Sequence, residues 1–83
     1  MARQCVVPSS LFEAHEVLWR RRPSRDADPA KWVAFHRHSA EVYAATAKVD
    51  VRHRHEATQY AAIEIRRARD IEHQLDPSVD DET

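Results

Sequence analysis

Not one of the 83 residues is glycine. That absence constrains the fold more than any residue the chain contains. Phosphate-cradling loops, dinucleotide fingerprints and the tight turns of two-residue β-hairpins need glycine where the backbone takes a positive φ or passes close to a ligand. Thirteen alanines stand in contrast, and alanine is the strongest helix former. The expectation is an all-α chain. At this length it forms one domain at most and buries only about 60% of its unfolded surface, so its own core is marginal. The single cysteine, Cys5, excludes an internal disulfide framework and a multi-cysteine zinc finger.

The net charge of −1 gives no overall pull towards nucleic acid or an anionic membrane. Its distribution is uneven. Residues 1–25 carry five arginines against two glutamates, residues 26–75 balance, and residues 76–83 hold Asp76, Asp80, Asp81 and Glu82. Ends of opposite sign can attract each other or a neighbouring copy. No stretch approaches the roughly 18 apolar residues of a membrane span. The N-terminus also lacks the apolar segment of a signal peptide, so a cytoplasmic protein without membrane contact is expected.

Residues 1–9 read as a short lead. Ser10 and Glu13 have capping-box spacing and open a first helix over 10–21, with Leu11, Ala14, His15, Leu18 and Trp19 on one side. Residues 22–28 form a polar linker. Asp28-Pro29, a cap followed by proline at the first helical position, starts a second helix over 29–48. Asp50, between two valines, is the best cap for a third helix over 51–75. Asp76-Pro77 stops that helix, because a residue before proline avoids helical geometry. The acidic tail 76–83 is expected to be disordered. The alternative is one continuous helix from 29 to 75, since no glycine supplies a left-handed cap at the break.

If the chain turns at Asp50, residue i of the second helix faces about residue 100 − i of the third. The core faces are then Trp32, His36, Ala40, Tyr43 and Ala47 against Ala57, Tyr60, Ala61, Glu64, Ala68, Ile71 and Leu75. Trp32 meets Ala68, Ala40 meets Tyr60 and Tyr43 meets Ala57. Large opposes small at each level, as interdigitation requires. Beside this face Phe35, Val42, Thr46 and Val49 make a second stripe, and the two together are wider than a helix packed on one side needs. The first helix would cover part of it. Another copy of the hairpin would cover the rest, giving a homo-oligomeric bundle with Trp32 and the second stripe at its interface.

His36 and Glu64 interrupt the two apolar faces and sit opposite each other in this register. A lone buried carboxylate must protonate or find a partner, and His36 is that partner. Such a pair serves first to fix helix register. A rival reading adds His15, also on an apolar side, to form a metal site of two imidazoles and one carboxylate. Against it, the chain lacks the Glu-x-x-His pairs of di-iron bundles. His38-x-x-Glu41 and His53-x-x-Glu56 have the reverse order and read as surface contacts. A second rival is weak nucleic-acid binding through Arg20, Arg21, Arg22 and Arg25, although arginines also suit a helix C-terminus. Trp19 and Trp32 read as core or interface anchors. No base lies near Cys5 in sequence, and no nucleophile–base pattern is recognisable.

Trp32, the run His38-Ser-Ala-Glu-Val-Tyr-Ala44 and the run Val49-Asp-Val-Arg-His-Arg-His-Glu-Ala57 resemble a family of short, uncharacterised actinobacterial helical proteins, over about half the chain. The resemblance implies a bacterial cytosolic protein, in keeping with arginine outnumbering lysine 11 to 2. It implies no activity. The expectation is therefore a small non-enzymatic interaction or regulatory protein: an antiparallel helical hairpin with a shorter N-terminal helix, assembled with itself and needing no cofactor.

Overall fold

The computed structural model describes residues 8–75. Cys5 and the acidic tail 76–83, with its Asp76-Pro77 stop, lie outside the described residues. Those described form three α-helices and no strand: α1 (Leu11–Arg21), α2 (Pro29–Val49) and α3 (Arg54–Leu75), with a 3₁₀ turn over Val51–His53 before α3. Among them no helix is long and apolar enough to cross a membrane.

The helix starts are built as their sequences require. Ser10 accepts a hydrogen bond from the Glu13 amide at 3.1 Å. Glu13 reaches back one residue further than in a capping box and accepts from the Ser9 amide at 2.7 Å. Asp28 accepts from the Ala30 amide at 3.2 Å, and Pro29 occupies the first position of α2.

The chain does break at Asp50, so one continuous helix over 29–75 is excluded. The break works differently from the cap expected there. Asp50 takes φ −97° and ψ 80°. Its amide still donates back to the Thr46 carbonyl, and its carbonyl accepts from His53 to close the 3₁₀ turn. Its side chain makes no cap bond to the helix that follows. Instead Oδ2 accepts from the Leu11 amide at 2.8 Å, and Nδ1 of His53 lies 2.9 Å from the same oxygen. Leu11 is the first residue of α1, so its amide has no partner within its own helix. Asp50 thus caps the helix 39 residues before it and pins α1 to the hairpin end.

α2 and α3 pack extensively on each other, and α1 lies mainly against α2. The α2–α3 seam is lined by Ala40, Ala47, Ala57, Ala61 and Ala68, all buried. Small side chains let the two axes approach closely. Leu11, Ala14 and Leu18 of α1 close the core over Tyr43, Ala47, Ala57 and Ala61.

Three sequence expectations need correction. First, the second stripe of α2 is not an open interface. Phe35 and Val42 pack against the core cluster and Thr46 is fully buried. α1 supplies the cover, leaving only Val49 of that stripe exposed. Second, α2 buries Ser39 as well. The hydroxyls of Ser39 and Thr46 donate at 2.8 Å to the carbonyls of Phe35 and Val42, one turn back, so neither is left unsatisfied. Third, Tyr60 and Leu75 of the α3 core face are exposed, and Tyr60 stacks on Tyr43 with ring centroids 5.2 Å apart rather than filling the space over Ala40.

The Asp50 carboxyl is held below its usual range, first by the Leu11 amide and then by His53. Its contribution to stability is therefore fully present above the unfolded value of about 3.9 and is lost as pH falls through the lower folded value. Asp50→Ala should lower the melting temperature at pH 7 and melt α1 contacts first. Thermal melts from pH 7 to pH 2.5 should show the gap between variant and wild type closing at the acid end. Equal melting temperatures at pH 7 would contradict this role.

Candidate functional site

α1 runs antiparallel to α2, from Leu11 beside Asp50, through His15 beside Tyr43, to Arg21 beside His38 and Arg22 beside Trp32. An open cleft of about 400 Å³ lies between the three helices. The walls are aromatic and the floor is polar.

The floor is the His36–Glu64 pair. Nδ1 of His36 lies 2.6 Å from Oε1 of Glu64, and the two side chains are 11% and 10% exposed. The 100 − i register brings them together. Arg67, one turn along α3, places Nη1 3.3 Å from Oε2 of Glu64. Both carboxylate oxygens are thereby engaged, which a mostly buried charge requires. The His36 ring packs against Trp32 and Phe35 at 5.6 Å between centroids. The ring is part of the cleft lining.

The expected third metal ligand, His15, does not join this pair. Its Nδ1 lies 2.7 Å from the Tyr43 hydroxyl, and its ring meets Tyr43 and Tyr60 edge-on at 5.4 and 4.8 Å. Burial, with Glu64 and Tyr60 nearby, pushes the Tyr43 phenol up to about 12, so the hydroxyl keeps its proton for this bond. Among the described residues no three His, Cys, Asp or Glu side chains converge as they would around an ion. His38 sits against Arg21 at 3.3 Å and His53 against Asp50, so neither pairs with the glutamate three residues on.

The arginine cluster is divided. Arg22 is drawn to two indoles, its guanidinium carbon 4.9 Å from the Trp19 ring centroid and 5.5 Å from that of Trp32. The Trp32 indole N–H donates to the Ser24 carbonyl at 3.1 Å and anchors the linker. All four arginines, Arg22 included, are exposed at the end of α1 and in the linker. Trp19 is not a core anchor, being 69% exposed. The spacing of Trp19 and Trp32 around the linker was the available signal for this clamp, but their convergence on Arg22 depends on the path of residues 22–28.

No protein-family model matches the chain, nor does any curated protein or solved structure. Nothing in these comparisons bears on the actinobacterial resemblance.

A double-mutant cycle with His36→Gln and Glu64→Gln should show coupling of about 1.5 kcal/mol or more in urea melts, the range for a hydrogen bond to a charged group. Coupling near zero would mean that the pair contributes nothing to the register. Tyr43→Phe, which leaves His15 Nδ1 without a partner, should cost about 1 kcal/mol in the same assay.

Proposed function

We propose that this chain is a small non-enzymatic interaction protein that assembles with a second copy of itself through the α3-facing flank of α1. The carrying observation is the exposure of two large aromatics on one 11-residue helix, Phe12 at 71% and Trp19 at 69%. They lie seven residues apart and so share a face. Tyr60 and Ile63 of α3, both exposed, extend the apolar band across the cleft mouth.

Three considerations support this reading. Contiguous exposed apolar surface on a small protein marks an interaction site. The chain's own core is made largely of alanine, and the largest fully buried side chains are Thr46 and Ser39, so intramolecular burial is small and oligomerisation is the usual remedy. The opposite charges of residues 1–25 and 76–83 favour an antiparallel pairing of two copies, steering the encounter more than adding affinity. Phe35, Val42 and Thr46 do not carry the contact, because α1 of the same chain covers them.

Light scattering across a concentration series should give a dimer or larger species at high micromolar protein. Phe12→Asp should shift the mass to that of a monomer while the helical circular-dichroism signal is retained. A compact wild-type monomer throughout the series would overturn the proposal.

A further inference from the structure

We infer that the cleft between α1, α2 and α3 binds a planar aromatic molecule carrying an anionic group, stacked among the indole and phenol rings with its charge towards Arg22 and Arg67.

Its volume of about 400 Å³ falls within the roughly 300–1,000 Å³ of small-molecule sites. Trp32, Phe35, Tyr43 and Tyr60 lie on its lining and offer ring faces and edges at the separations aromatic contacts use. The charge is decided by what is already paired. Glu64 is the one carboxylate in the lining, and both of its oxygens are engaged, by His36 and by Arg67. Arg22 also lines the cleft and has no carboxylate partner among the described residues. It is instead held beside the cleft by Trp19 and Trp32. An arginine oriented in this way is arranged to meet a carboxylate or phosphate in forked geometry. His36, whose ring is fixed by Glu64, is a further polar ring in the lining. The unmatched polarity of the cleft is therefore cationic, and an aromatic cation or a purely apolar ligand fits it less well. The cleft shares Trp19, Tyr60 and Ile63 with the proposed self-association face, so ligand and second copy compete for it; Phe12 is not part of its lining, and titrating Phe12→Asp beside the wild type separates the two events.

The test is a nuclear magnetic resonance titration of the full chain with 2-naphthoate, alongside 2-naphthamide as neutral isostere and cyclohexanecarboxylate as non-aromatic anion. 2-Naphthoate should shift the Trp32 indole N–H and the His36 and Ile63 amides saturably. Each comparator should bind about tenfold more weakly, the equivalent of one lost charge-assisted or stacking contact. Arg22→Gln should reduce naphthoate binding to the level of the amide. Ile63→Trp, which fills the cleft from an exposed position, should abolish binding without loss of helical signal. Four results would overturn the inference: equal binding of acid and amide, undiminished binding by folded Ile63→Trp, shifts centred on Phe12, or no saturable shift at millimolar probe.

Discussion

One carboxylate oxygen joins all three helices. Oδ2 of Asp50 accepts from the first amide of α1 and lies within hydrogen-bond distance of His53 in the turn before α3, while the Asp50 backbone ends α2. Without that contact α1 would be an 11-residue helix joined by a polar linker, shorter than the ~12–15 residues at which isolated helices become even marginal in water. With α1 in place the rest follows. Leu11, Ala14 and Leu18 complete the cluster on which Phe35 and Val42 of the second stripe pack, His15 reaches Tyr43, and the three helices enclose the cleft beside His36 and Glu64.

The core that results is unusual in substance. Its seam is alanine, and its largest fully buried side chains carry hydroxyls satisfied by the preceding helical turn. Close approach of α2 and α3 replaces bulk, so the chain contributes many contacts but little apolar area per residue. In such a seam the buried, hydrogen-bonded His36–Glu64 pair has a role beyond its own energy. A uniform alanine surface tolerates sliding by a turn, whereas displacing His36 from Glu64 would leave one carboxylate oxygen in the seam with no donor, which is costly. The same pair then becomes the polar floor of the cleft.

The break between α2 and α3, the caps at Ser10 and Asp28 and the meeting of His36 with Glu64 were legible in the sequence because each depends on local spacing or on the arithmetic of one turn. The role of Asp50 was not. A cap is recognised by residues three positions away, and no local rule points a carboxylate at an amide 39 positions earlier. The same reason explains the stripe of Phe35, Val42 and Thr46: its apolar width was plain, but whether α1 or another copy covered it depended on how α1 docks. Ser39 escaped notice because hydroxyl residues count as polar in a periodicity reading, although a bond to the previous turn lets it face inward as Thr46 does. The clamp on Arg22 was hidden by the linker, whose seven residues carry no periodicity to extrapolate.

The most direct measurement of this account is amide hydrogen exchange at Leu11. At the first position of a helix an amide has no intrahelical acceptor and exchanges freely. If Asp50 holds α1 on the hairpin, the Leu11 amide should be protected at neutral pH to nearly the same degree as Tyr43 and Ala61 in the core, and Asp50→Ala should abolish that protection while leaving Ala61 protected. Exchange of Leu11 at the unprotected rate in the wild-type protein would contradict the account.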